Sequence, residues 1–207
     1  MTKRIVFFLL PMWTALMIPG AVRAETGYDL WLRYQPVANQ EIRDFYIQYC
    51  QALEVTGEYD VVMRSASEEL KLGLHHMLGI TLKEKTTGHR ESTLLLSTVD
   101  HLPRGMRSLL KRPLAQLKPE GFIIATAGGR ICIVGSGNKG VLYGAFHLLR
   151  QVATQRKLTD QPIVDNPANK LRLINHWDNP GKLPANTPSV ERGYGGETIF
   201  NWDELPL

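Results

Sequence analysis

Residues 168–207 hold the densest set of side chains able to bind and polarise a ligand. Asn175-His176-Trp177-Asp178-Asn179 closes a strand-like run, and Ser189-Val190-Glu191-Arg192-Gly193-Tyr194 follows a proline-rich loop. An indole offers a flat apolar face on which a sugar ring can stack, while Asp, Asn, Glu and Arg supply donors and acceptors for hydroxyls. A guanidinium is also the group best matched to a carboxylate, such as that of a uronic acid, through two parallel hydrogen bonds. Just beyond the C-terminal end of a strand, such a cluster sits where barrel enzymes gather their binding loops. The competing reading is a capped loop with Trp177 tucked into the core.

Other suggestive groups reduce to structural roles. Gly135-Ser136-Gly137-Asn138-Lys139-Gly140 lies between a strand and a helix, but it lacks the order of a phosphate loop and the spacing of a dinucleotide fingerprint. Its glycines are expected to turn the chain sharply so that the helix packs back on the sheet. His75 and His76 adjoin on a helix and point about 100° apart, which does not suit a shared metal. No zinc-ligand spacing and no nucleophile-elbow motif occurs, so no metal site is expected. Cys50 and Cys132 form an even pair and permit one bridge, yet Cys132 sits in the apolar run Ile131–Val134. That setting favours two separate thiols.

The elements that must position the C-terminal cluster are mixed. Tyr28 to Tyr34 alternates loosely up to Pro36 and suits a first strand. Residues 41–53 carry apolar side chains at a spacing that fits a helix or a mixed segment. Ser65-Ala66-Ser67-Glu68 has the pattern of a capping box, with Gly79 placed to end the helix. Thr93 to Val99 reads as a buried strand. Gly121–Ala127 and Arg130–Val134, separated by Gly128-Gly129, predict a tight antiparallel hairpin because both turn residues can take positive φ. Val141, Leu142, Ala145, Leu148, Leu149 and Val152 mark one face of a helix over 139–154. A further strand is expected over 171–177. The expected class is α+β: a two-layer, antiparallel-rich sheet with helices on one face, and a boundary near residue 167.

Composition narrows the classes further. The 207 residues are 43% hydrophobic and 21% charged, a globular rather than disordered balance. The formal charge of +4 owes most of its excess to Lys3, Arg4 and Arg23. Without them the chain is close to neutral, which removes any argument for nucleic-acid binding. Lys3-Arg4, the apolar run Ile5–Ile18, the Pro19-Gly20 break and the small residues ending at Ala24 form a leader-peptide pattern. The apolar run is shorter than the roughly 20 residues of a membrane span. Cleavage after Ala24 and export to a periplasm or the exterior are expected, with no membrane attachment afterwards.

Three segments carry a family resemblance. Leu173–Asn179 with Ser189–Gly196 resembles the opening of the catalytic barrel of α-glucuronidases of glycoside hydrolase family 67. Tyr28–Tyr34 resembles the start of that family's N-terminal domain, and Gly140–Leu149 resembles its last long helix. The resemblance implies a signal peptide over 1–24, an N-terminal α+β domain over 25–167, and the first strand and loop of a (β/α)8 barrel over 168–207. It implies hydrolysis, with inversion and without cofactor, of (4-O-methyl)glucuronic acid from xylooligosaccharides. It places Trp177, Asp178, Glu191 and Arg192 in the uronic-acid pocket, and it is compatible with a homodimer of the full-length enzyme. A (β/α)8 barrel takes about 250 residues. Residues 168–207 cannot close one, so the catalytic acid and base are expected beyond residue 207 and the chain alone is expected to be inactive. The alternative from another class is a non-catalytic carbohydrate-binding or accessory module.

Overall fold

The structure is a computed structural model that describes residues 32–84 and 93–172. Its strands are β1 (Ala52–Thr56), β2 (Lys83–Glu84), β3 (Thr93–Thr98), β4 (Phe122–Ala127), β5 (Arg130–Gly135) and β6 (Ile163–Asp165). They form one sheet in the order β2-β1-β3-β5-β4-β6. The helices are α1 (Gln40–Tyr49), α2 (Val61–Leu78), α3 (Arg104–Leu109), α4 (Lys111–Leu114) and α5 (Asn138–Ala153).

The mixed α and β class holds, but two of its expected details are corrected. β2, β1, β3 and β5 pair in parallel, and only β4 runs antiparallel to its neighbours β5 and β6. The sheet is therefore not antiparallel-rich. Helices also cover both of its faces. Leu94 and Leu96 of β3 face α2 and α5, whereas Leu95 faces Leu102, Met106 and Leu110 on the opposite side. β5 divides in the same way, with Ile131 and Ile133 on one face and Cys132 and Val134 on the other. The physical reason lies in the side chains: a strand apolar on both faces needs cover on both, and parallel strands need crossovers that supply it. All six residues of β3 and all six of β5 are buried.

Local signals explain most boundaries. The β4–β5 hairpin forms as expected, with Gly128 at φ 58° and Gly129 at φ 76°, the two positive values a twisted two-residue turn requires. Gly79 ends α2 in the left-handed conformation at φ 69°. The start of α2 is a correction. Asp60, not Ser65, is the cap: its carboxylate accepts from the Met63 N–H at 2.8 Å, while Ser65 lies inside the helix and bonds back to the Val61 carbonyl. The ambiguous stretch 41–53 resolves into α1, capped by Asn39, and then β1.

The expected strand over 28–34 is also corrected where it is described. Leu32–Tyr34 has no sheet partner and belongs to a strap that crosses the outer side of the helix layer. Tyr34 is buried beside Gly73 and donates its hydroxyl to Glu69, and the Val37 N–H donates to the Met77 carbonyl at 2.9 Å. Of the expected run over 171–177, Leu171 and Arg172 are not strand, and 173–177 lie outside the described residues. Among the described residues no helix is long and apolar enough to cross a membrane.

Cys50 and Cys132 are separate thiols, both buried, in cores on opposite faces of the sheet. Burial pushes each thiol up to about 12.

Helix α5 approaches the sheet unusually closely. A Cβ on Gly140 would strike the Gly121 carbonyl oxygen and lie 3.1 Å from the Gly135 Cα; one on Gly144 would lie 2.6 Å from Ile133 Cγ2. Gly140→Ala is thus expected to lower stability by about 1–3 kcal/mol, because backbone rather than a movable side chain fills the space. Gly105→Ala, with nothing within 4 Å, should instead raise stability by about 0.4–1 kcal/mol. Denaturant melts of the two variants check the pair. Asp60→Ala is expected to cost about 1 kcal/mol through loss of the α2 cap. The Met63 N–H bond first, and Asn138 second, hold the Asp60 carboxyl below its ordinary value. The cap's contribution is then full above the unfolded carboxylate pKa and lost as pH falls through the lower folded one, so the variant and parent should converge in acid.

Candidate functional site

The four residues expected in a sugar pocket, Trp177, Asp178, Glu191 and Arg192, lie outside the described residues. What the structure does describe is the platform that leads into them. After β6 the chain passes the loop that precedes β4 and is held there at Asn166 and at Arg172. Asn166 accepts from the Lys118 N–H at 2.7 Å and donates to the Gln116 carbonyl at 3.2 Å, stitching the return to the loop before β4.

The return then reaches Arg172, one residue before the Leu173–Asn179 motif. Arg172 donates Nη1 to the Asn169 carbonyl at 2.8 Å and Nη2 to the Tyr143 hydroxyl at 3.2 Å, and it forms an ion pair with Glu120. Its guanidinium also lies 5.3 Å from the centre of the Tyr143 ring, within range of a cation–π attraction. Glu120 meets Lys139 as well, at 3.4 Å. The Arg172 hydrogen bond is the main reason the Glu120 carboxyl titrates below its ordinary value, with Lys139 adding to it. Tyr143 and Glu120 together favour the charged form of Arg172.

Glu120 owes its position to backbone geometry. It sits at φ 60° in the turn Pro119-Glu120-Gly121, a conformation side chains adopt only where surroundings hold it. Gly121 next to it has no room for a Cβ, which would strike Asn166. None of Glu120, Tyr143 or Arg172 was singled out from sequence. No spacing in the sequence marks them, because residues 52 positions apart meet here through irregular backbone.

Beside this junction lies a cleft of 550 Å³ at the C-terminal ends of β3 and β5, lined by Val99, Asp100, Leu117, Glu120 and the 136–140 loop. The loop acts as expected for packing. Ser136 N–H is bonded to the Gly121 carbonyl and Val141 N–H to the Gly137 carbonyl, so these amides are not turned toward a ligand. His75 and His76 are exposed, with ring centres 5.9 Å apart. Among the described residues no group of three or more His, Cys, Asp or Glu could hold a metal ion.

Comparison with known proteins assigns the class first. Residues 30–148 match the glycosyl hydrolase family 67 N-terminus and residues 151–207 match the glycosyl hydrolase family 67 middle domain; the chain belongs to glycosyl hydrolase family 67. Particular relatives follow. Over 197 residues the chain is 32% identical to the alpha-glucuronidase of Hypocrea jecorina, an alignment covering 93% of this chain and 23% of that protein. Over 186 residues it is 33% identical to the probable alpha-glucuronidase A of Aspergillus niger, covering 89% and 21% respectively. The chain thus spans under a quarter of the length of these relatives. Among solved structures, a family GH115 4-O-methyl-alpha-glucuronidase with specificity for decorated arabinogalactans aligns with a TM-score of 0.46 at 16% identity, over 58% of this chain and 18% of that one. That likeness is too loose to bear on function.

Glu120→Gln should release Arg172 while leaving the two cores intact. Hydrogen exchange of amides 168–172 is expected to speed up, with the thermal midpoint nearly unchanged, since exposed ion pairs contribute little to global stability. In the parent the same release should appear on acidification. The Glu120 carboxyl has a lowered folded pKa, so its tether is present above the unfolded pKa and lost as pH falls through the folded one.

Proposed function

We propose that this chain is the N-terminal portion of an exported α-glucuronidase that releases (4-O-methyl)glucuronic acid from decorated xylooligosaccharides. The observation that carries this reading is the paired family match, N-terminus then middle domain, together with relatives named alpha-glucuronidase along about nine-tenths of the chain. In this reading residues 1–24 are a cleaved leader, 25–167 form the N-terminal domain, and 168–207 open the catalytic barrel. β6 supports the second boundary, because it pairs with β4 up to Asp165 and so belongs to the first sheet.

Trp177 stacks on the sugar, Glu191 accepts from its hydroxyls, Arg192 engages the uronate or orients Glu191, and Asp178 contributes a further acceptor. Inverting hydrolysis needs a general acid on one side of the sugar and a general base on the other, about 6.5–9.5 Å apart to admit a water. The portion of the relatives that this chain does not cover supplies that pair. No carboxylate of the 207 residues takes either role. The N-terminal domain then serves by fixing where the barrel begins, through the Arg172 junction.

The purified 207-residue chain is expected to release no uronic acid from aldouronic oligosaccharides; turnover by it would refute the assignment of acid and base. In the protein extended to the full length of its relatives, Trp177→Ala and Glu191→Gln are each expected to lower kcat/KM by about 10- to 100-fold, as loss of a stacked ring or a charged hydrogen bond of about 1.5–3 kcal/mol implies. Unchanged kinetics in both variants would remove these residues from the pocket. N-terminal sequencing of the exported product should begin at Glu25.

A further inference from the structure

The antiparallel edge of the sheet is only half covered. Ala127 and Arg130 flank a two-residue turn and exchange both of their hydrogen bonds. The alternate residues Phe122, Ile124 and Thr126 therefore turn their N–H and C=O groups to the other edge of β4. β6 meets the first two, with Asp165 opposite Phe122 and Ile163 opposite Ile124. One further pair in the same register would bring Gln161 opposite Thr126. β6 stops short of it, because it begins at Ile163, and the Gln161 N–H and C=O are both taken by the Thr159 hydroxyl, at 3.3 and 3.4 Å. Thr126 thus points a donor and an acceptor outward with no strand beside them among the described residues. Such an edge is a template for a further strand.

A groove of 970 Å³ opens beside this edge, lined by Thr126 and Ala127 of β4, by Asp160, and by Leu109, Lys111 and Arg112 of α3 and α4. Leu109, Lys111 and Arg112 are exposed, and neither cation has a partner among the described residues. They belong to a stretch, 101–119, whose charged residues are Arg104, Arg107, Lys111, Arg112 and Lys118, without an acid. Asp160 is the one acid among the described residues of the lining. The register also says which way an added strand would point. Val164, opposite Ile123, packs on the core beneath α3 and α4. Residues opposite Ala125 and Ala127 share that face, since alternate side chains of a strand lie on one side. The residue opposite Thr126 lies on the other.

We propose that the Thr126 edge of β4 is a docking site for an extended acidic segment of another polypeptide. The segment adds to the sheet by pairing with Thr126 and sets carboxylates, at alternate positions, against Lys111 and Arg112. The outward backbone groups select a polypeptide strand, and the unneutralised cations select acidic side chains. The inference is independent of the proposed enzymatic activity.

The test follows the fluorescence anisotropy of a labelled peptide of alternating Glu and Val, titrated with the whole 207-residue chain. Saturable binding is expected, with none for a peptide of alternating Lys and Val. With Glu opposite Ala125 and Ala127, Val falls opposite Thr126 and supplies the N–H for its carbonyl. Methylating the Val nitrogens should weaken binding at least about tenfold, whereas methylating the Glu nitrogens, which face away from β4, should leave it nearly unchanged. Lys111→Glu combined with Arg112→Glu should weaken binding at least about tenfold while circular dichroism stays native. Absence of binding by the Glu-Val peptide would overturn the proposal, as would equal behaviour of the two methylated peptides or full binding by the charge-reversed protein. A uronic-acid oligosaccharide that binds at Lys111 and Arg112 where the peptide does not would assign the groove to an acidic sugar and would also overturn it.

Discussion

Helix α5 rests on the sheet at a distance set by absent side chains. Gly140 leaves room for the Gly121 carbonyl, Gly144 leaves room for Ile133, and Gly135 lets the chain turn directly from β5 into the helix. With Cβ atoms at these positions the helix would have to lift, and its partners would lose their register. Tyr143 would no longer meet Arg172, Lys139 would part from Glu120, and Leu149 would leave Gly73 of α2. One backbone approach therefore sets both where the N-terminal strap lies and where the chain departs toward residue 173. The same approach uses the Ser136 N–H, which is bonded to the Gly121 carbonyl beside it.

Much of this fold was written in short-range chemistry. Gly128-Gly129 dictated the hairpin because both positions demand positive φ, and Gly79 dictated the end of α2 for the same reason. The errors arose where two readings share one local pattern. Thr93–Thr98 was recognisable as buried, but its unbroken apolar run also carried the sign of cover on both faces, which parallel pairing requires. Asp60 and Ser65 both precede apolar runs at capping distance; only packing decides that Val61–Arg64 is already helix. Leu32–Tyr34, the described part of the run over 28–34, alternates like a strand because an extended strap on a helix layer obeys the same period as a strand in a sheet. Periodicity reports an extended chain with one covered face and leaves open what covers it.

The site divides in a comparable way. Trp177, Asp178, Glu191 and Arg192 stand out by residue type, since a ring-stacking indole beside acids and an arginine is a distinctive set, although their geometry falls outside the described residues. The Arg172 junction, in contrast, is invisible to residue type. Its four participants, Glu120, Lys139, Tyr143 and Arg172, are ordinary surface residues spread over three elements. They become a unit only because the Asn166 stitch and the glycine-permitted approach of α5 bring the β6 return alongside the helix. Long-range convergence of irregular segments has no period and no spacing for a linear reading to detect.

That contrast bears on what a junction of exposed charges can do for the residues that follow it. A binding constellation must be held to within a fraction of an ångström to act on a transition state, so the way Arg172 is held bears on any such constellation in the residues that follow it. Arg172 is tied at its guanidinium to Tyr143 on α5, to Glu120 in the turn before β4 and to the Asn169 carbonyl of its own segment, which ties the return to both the sheet and α5. Ion pairs this exposed add little to folding stability, and Leu171 beside it is 75% exposed. The junction is therefore poorly suited to holding the domain together and well suited to aiming the next segment. Stability resides in the two cores, and direction resides in the charges at the rim.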